Sequence, residues 1–205
     1  MTWQSPKRAL IVIDVQNEYV TGNLPIEYPT LDLSLPNIKR AIDAATQASI
    51  PVVVVQHVAP ETSPIFAIGS HGWELHPIAQ VENALHVQKK QPSAFADTGL
   101  AEWLRENGVD TLTVVGYMSQ NCNESTIRHA ADSGWSVEYL RDATGAVSYR
   151  NKMGFLDAKT MHEASCVVLQ SRFAAVMTTE DWLTLIKSGQ VAAREGLYQS
   201  YLNAH

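Results

Sequence analysis

Three side chains in this sequence are of types that cooperate in covalent catalysis, and each stands after a strand-like run. Asp14 directly follows the apolar run Ala9-Leu-Ile-Val-Ile13. Lys89 and Lys90 follow the weaker run Leu85-His-Val-Gln88. Cys122 closes Gly116-Tyr-Met-Ser-Gln-Asn-Cys122, after the run Thr111-Leu-Thr-Val-Val115 and where a helical pattern begins. A carboxylate at the end of a buried strand is costly unless it is paired or used. A free thiol, with a pKa of about 8.5, is only a few per cent thiolate at pH 7, and a helix N-terminus or a nearby lysine lowers that pKa. Together the three supply a nucleophile, a general base and a charge partner. Each also has a plainer reading. Asp14 can bond nearby backbone N–H groups, the lysines can be solvated strand-end residues, and Cys122 can be a small core filler. The second cysteine, Cys166, sits inside Ser165-Cys-Val-Val-Leu169 with no helix start beside it, and is expected in the core.

The elements that must carry these residues alternate along the chain. Strand-like runs are expected at 9–13, 51–55, 111–115, 137–140 and 166–169, with the weaker one at 85–88. Most are continuous rather than alternating, as strands buried on both faces should be. Helices fall between them. One is capped by Ser34 with Pro36 in its first turn, and one is capped by Asp97 or Thr98 and stopped by Gly108. Another ends at Gly134, a fourth covers about 154–163, and a fifth runs from Thr179 to Lys187 with Gly189 as its stop. This order predicts an α/β fold with a mostly parallel sheet and right-handed crossovers. Two long connections, 17–33 and 58–84, are rich in proline and glycine and read as binding loops. In open α/β sheets the site lies outside the carboxyl ends of the strands.

Composition narrows the function. The chain has 205 residues, 45% of them hydrophobic, and a net charge of −6. A domain of this size buries roughly 70% of its unfolded surface, enough for one large core. The acidic balance argues against nucleic-acid or anionic-membrane partners, because both usually demand a basic patch. The amino-terminal stretch Met1–Arg8 and the short apolar run after it do not have the form of a signal peptide. No run approaches the ~20 apolar residues of a membrane span. Two cysteines make neither a disulfide framework nor a zinc spacing. The expectation is one cytoplasmic domain, 1–205, with a core over about 7–188 and an extension over 189–205.

Four segments resemble the isochorismatase-like cysteine hydrolases. "LIVIDVQNEY" resembles their first-strand signature, "KKQPSAF" their lysine segment and "VVGYMSQNC" their nucleophile segment, and "DATGA" matches a further segment at 142–146. The resemblance implies a Rossmann-like three-layer fold, with a six-stranded, mainly parallel sheet and helices on both faces. It implies a catalytic triad of Asp14, Lys89 and Cys122, with Lys90 the fallback should the register slip. It also implies a non-proline cis peptide at Tyr117–Met118 and an oxyanion hole built from the backbone N–H groups of Met118 and Cys122. Gly116 would permit a tight approach there, and Ser119 would brace the loop. The family's members hydrolyse small amides, ureido compounds or a vinyl ether, and many are dimers or tetramers, so a homo-oligomer acting on a small molecule is expected.

A cysteine at the nucleophile position favours C–N hydrolysis, since vinyl-ether cleavage needs no thiol. The alternatives are an isochorismatase-type vinyl-ether hydrolase and a non-catalytic binding module on the same fold. A dinucleotide-dependent oxidoreductase is excluded, because the turn after the first strand has no glycine. The nicotinamidase branch carries an Asp-x-His metal site after its second strand, where this chain reads Gln56-His57. His57, His71 and His76 have no metal spacing and no completing Asp, so neither metal nor cofactor is expected. Tyr19, Phe66 and Trp73, on or near the long loops, are candidate pocket walls. His57 is expected to line the pocket, and Gln16 or Asn17 to bond substrate or brace Asp14.

Overall fold

The computed structural model describes residues 5–205. Residues 1–4, the start of the amino-terminal stretch read above, lie outside the described residues. The strands are β1 (Arg8–Ile13), β2 (Val52–His57), β3 (Leu85–Lys89), β4 (Thr111–Tyr117), β5 (Ser136–Gly145), β6 (Tyr149–Asn151), β7 (Gly154–Leu156) and β8 (Ala175–Met177). The α-helices are α1 (Leu31–Gln47), α2 (Leu100–Glu106), α3 (Glu124–Asp132), α4 (Ala158–Arg172), α5 (Thr179–Ser188) and α6 (Leu197–Asn203).

Six strands form one sheet in the order β3-β2-β1-β4-β5-β8, every pair parallel. β6 and β7 make a separate antiparallel hairpin. The continuous apolar runs have their cause here. Along β1, Ala9, Ile11 and Ile13 pack with Leu100 and Leu104 of α2, Ile127 of α3 and Leu169 of α4. Leu10 and Val12, pointing the other way, pack with Ile38 and Ala41 of α1 and Trp182 of α5. Both faces are therefore covered, and each such aliphatic side chain contributes about 1.5–3 kcal/mol on burial. Among the described residues, no helix is long and apolar enough to cross a membrane.

Several boundaries differ from the sequence expectation. Cys166-Val-Val-Leu169 is not a strand but the end of α4. Its residues Ala158, His162, Ser165 and Leu169 form the buried stripe at helical spacing, while Val167 and Val168 are exposed. The polar members His162 and Ser165 hide that stripe from a hydrophobicity reading, and Asp157 caps the helix by accepting the Thr160 N–H at 3.0 Å. The sixth strand is Ala175–Met177 instead. The helix expected from 154 starts at Ala158, the preceding residues forming β7. α1 starts four residues early, at Leu31 with Thr30 in the cap position, and Ser34 is buried within it with its hydroxyl 2.8 Å from Tyr117 Oη. At α2 the cap position is Gly99, with Thr98 Oγ1 accepting the Leu100 N–H at 3.3 Å. α5 has the expected stop at Gly189, and a capping box joins Thr178 and Asp181.

Candidate active site

β1 and β4 are neighbours, but β3 lies beyond β2, two strand spacings or about 10 Å from β1. Only a long side chain at the end of β3 can reach the end of β1. Lys89 is such a residue. It stands opposite His57 in the β2–β3 register and is 2% exposed. Its ammonium lies 2.7 Å from Asp14 Oδ2, 3.2 Å from Cys122 Sγ and 3.3 Å from His57 Nδ1. Two of the ammonium's three N–H donors are met by Cys122 and His57, and the Asp14 carboxylate balances its charge. Lys90, one step on, is exposed.

Asp14 is wholly buried and has a φ of +50°, a left-handed conformation that Asp tolerates better than most residues. Its N–H donates to Val55 O at 2.9 Å and its carbonyl accepts from the Gln16 N–H at 2.8 Å. This tight turn aims the side chain across the end of the sheet. Among the described residues, neither Oδ1 nor Oδ2 has a hydrogen-bond partner, so the 2.7 Å approach of Lys89 is an ion pair.

Cys122 sits in a π-helical turn, Ser119–Asn123, that runs into α3. Such turns are rare and recur at functional sites. Just before the turn, the end of β4 approaches β1 closely because Gly116 has a φ of +100° and no side chain. A Cβ there would lie 2.1 Å from Ile13 O. Asn123 Nδ2 donates to Gly116 O at 2.8 Å, and Ser119 Oγ donates to Gly145 O at 3.0 Å while pairing with His162 Nδ1 at 2.8 Å. The Tyr117–Met118 peptide is cis. Among the described residues, no protein acceptor meets the Met118 N–H.

The electrostatics follow from burial and these contacts. Burial, and then the Asp14 carboxylate, push the Cys122 thiol well above the ordinary cysteine range, with Lys89 opposing them. The resting side chain is thus the protonated thiol. Burial alone would lower the Lys89 ammonium, but Asp14 and Cys122 overturn that and hold its pKa above the usual lysine value. Burial and the Lys89 charge lower His57, leaving its imidazole neutral. Burial, with Cys122 and Asp14 nearby, raises the Tyr19 phenol.

A cavity of about 240 Å³ opens over the sulfur. Tyr19, His57, Phe66, Met118 and Asn121 line it together with Cys122. Tyr19 meets Phe66 edge to face at 5.1 Å, and His57 meets the same ring at 5.3 Å. Gln16 and Trp73, expected in the pocket, do not line it. Gln16 is wholly buried and fastens β2 to the long loop, donating to His57 O at 3.0 Å and Trp73 O at 2.7 Å and accepting the His57 N–H at 2.8 Å. Trp73 serves that tie with its backbone. Asn17 is tied into the same loop, its N–H donating to Glu74 O at 2.9 Å.

Leu24, Ile65 and Pro92 complete much of the wall and were not singled out in the sequence. Each lies on a loop whose course no periodicity reveals. Asn121 sits inside the quoted nucleophile segment, one residue before the cysteine, so its signal was present. His162 gave none, since a lone histidine in a helix reads as surface.

The other histidines stand apart. His71 Nε2 pairs with Thr21 Oγ1 at 2.9 Å, and His76 Nδ1 accepts the Ile78 N–H at 3.4 Å. Among the described residues, no three His, Cys, Asp or Glu side chains are grouped so as to hold a metal ion.

Comparison with known proteins adds to this geometry. A family model described as the isochorismatase domain matches residues 8–181. A solved structure from Burkholderia xenovorans LB400, described as a candidate isochorismatase, is 55% identical and superposes with a TM-score of 0.96 over 98% of this chain and 97% of that one. A secreted isochorismatase effector of Verticillium dahliae is 32% identical over 84% of this chain and 88% of its own. Nicotinamidase 3 of Arabidopsis thaliana is 28% identical over 81% of this chain and 82% of its own.

Proposed function

The chain belongs to the isochorismatase family of hydrolases, and from that premise we propose that it cleaves the C–N bond of a small amide or ureido compound through a cysteine acyl-enzyme. The observation that carries this reading is the Lys89 ammonium held between Asp14 Oδ2 at 2.7 Å and Cys122 Sγ at 3.2 Å in a buried site. Because burial keeps the resting thiol protonated, attack needs a base, and the Asp14 carboxylate is the anionic group beside it.

In this reaction Asp14 takes the thiol proton as Sγ attacks the carbonyl carbon. Lys89 holds the negative charge that appears on sulfur and keeps Asp14 oriented. The carbonyl oxygen becomes an oxyanion and accepts from the Met118 and Cys122 N–H groups. A single such donor is typically worth about 10²–10³ in rate. Asp14 then returns the proton to the leaving nitrogen, and the C–N bond breaks to leave a thioester. Water, deprotonated by the same carboxylate, releases the acid and regenerates the thiol. His57, Tyr19 and Phe66 would hold the substrate, with Gln16 and Trp73 fastening the loop behind them.

The proposal extends to a single hydrolase domain over 1–205 that works as a cytoplasmic homo-oligomer, a dimer or tetramer, without a metal or other cofactor. The test is ammonia release from a panel of small amides and ureido compounds, with wild type beside Cys122→Ala. Release that disappears in the variant supports the reading, and equal release from both proteins overturns it.

A further inference from the structure

Resting on the hydrolase reading, we infer that the site is built for an uncharged amide with a small apolar body, and that it rejects amides carrying a carboxylate. The cavity over Cys122 supports this in three ways.

The first is the absence of a spare cation. Among the described residues, no lysine and no arginine lines the cavity. Lys89, just beneath it, is already paired with the Asp14 carboxylate at 2.7 Å and hydrogen-bonded to Cys122 and His57 at 3.2 and 3.3 Å. Lys90 is exposed and outside the lining. A substrate carboxylate would therefore lose its water without gaining an ionic partner, which is costly. It would also lie near Glu18, a buried carboxylate that accepts the Phe66 N–H at 3.3 Å behind the pocket wall.

The second is the polarity of the wall. Leu24, Ile65, Phe66, Pro92 and Met118 offer carbon surface to a substrate body. At about 240 Å³ the cavity falls below the roughly 300–1,000 Å³ of sites that hold drug-sized ligands.

The third is the tautomer of His57. Its Nδ1 faces the Lys89 ammonium, which can only donate. The ring proton of the neutral imidazole therefore sits on Nε2. Tyr19, His57, Ser63 and Asn121 are the polar side chains among the lining residues; Ser63 already donates to Ile65 O at 2.6 Å, and the other three can donate to a neutral acceptor such as a carbonyl oxygen. The same inference disfavours a dicarboxylate vinyl ether, which would bring two unpaired charges into the cavity.

The test separates the cavity's charge preference from turnover. Purified full-length protein is treated with iodoacetamide or iodoacetate, which are nearly equal in size and differ in charge. In either case Sγ displaces iodide, which leaves with its electron pair. Peptide-resolved mass spectrometry gives the rate at Cys122 apart from Cys166, and glutathione in the same mixture supplies the intrinsic ratio of the two reagents. The neutral reagent is expected to be favoured at Cys122 by about tenfold or more over the glutathione ratio. A Cys122 ratio equal to or below that of glutathione overturns the inference. In parallel, butyramide and succinamate are compared for ammonia release. Faster turnover of succinamate that needs Cys122 overturns the inference while leaving the hydrolase reading intact. Selective alkylation with turnover of no amide in the panel overturns the hydrolase reading and leaves the charge preference standing.

Discussion

Lys89 and Cys122 lie 33 positions apart in sequence, on β3 and beyond β4, yet the ammonium and the sulfur stand 3.2 Å apart in a buried site. The contact costs the fold two desolvated groups, and the Asp14 carboxylate at 2.7 Å offsets the charge of one of them. Lys89 is the group that lowers the thiol's pKa against the opposing pull of burial and Asp14. Lys89→Met should therefore make the thiol harder to ionise. Alkylation of Cys122 at pH 8 should slow, and the pH profile of that reaction should move upward. Removing one partner of a buried pair should also cost about 3–5 kcal/mol of stability, read by chemical denaturation. An unchanged alkylation profile in a folded variant would remove Lys89 from the account.

Asp14→Asn keeps the shape of the side chain but cannot accept the thiol proton. Turnover of the best amide should fall by about 10²–10⁴-fold, the usual contribution of a positioned acid–base group. KM should change far less than kcat. A loss confined to KM would mean that Asp14 only holds substrate.

Gly116 has a φ of +100°, and a Cβ there would meet Ile13 O at 2.1 Å. The obstacle is backbone, so β1 and β4 would have to part next to Asp14. Gly116→Ala should destabilise the protein by about 3 kcal/mol or more, lowering Tm by roughly 6–12 °C in a chain of this size. A Tm within 2 °C of wild type, on about the same scale, would contradict the close approach.

Burial holds the His162 imidazole down to a pKa of about 4. The unfolded chain binds this proton near 6.5 and the folded chain does not until near 4, so the neutral ring favours folding at pH 7. That stability should erode as pH falls below about 6.5 and level off below about 4, a loss of at most about 3 kcal/mol. Denaturation at pH 7 and pH 5 should show the drop in wild type and a smaller one in His162→Gln. Some slope should remain in the variant, because His57 and His76 are lowered in the same sense. Equal slopes in the two proteins would contradict the placement of His162 against Ser119.

Asp14, Lys89 and Cys122, which the structure brings together, were legible because each stands at or just beyond the end of a strand, and strand ends are where a parallel sheet gathers distant segments. Tyr19 and Phe66 could be named since aromatic side chains on long loops usually have a surface to cover, and His57 since it ends β2. Gln16 and Trp73 were misplaced for a reason that periodicity cannot reach. Their polar groups tie β2 to the 58–84 loop, and a hydrogen-bonded brace has the same residue types as a pocket. The run Cys166–Leu169 misled because β-branched residues suggest a strand, while the helix that holds them is specified by a half-polar stripe and the Asp157 cap. The buried Arg8–Glu138 pair, at 2.8 Å and joined by Thr113 and Trp182, left no local trace at all, since its members come from four separate elements.

The most direct test of the central claim follows the acyl group itself. During turnover of an amide from the panel, hydroxylamine is added and both ammonia and hydroxamate are measured, for wild type and for Cys122→Ala. A thioester on Cys122 predicts that wild type forms hydroxamate at the expense of free acid while ammonia release continues, and that the variant forms neither product. Ammonia release by Cys122→Ala at the wild-type rate would contradict the account and remove the thiol from the chemistry.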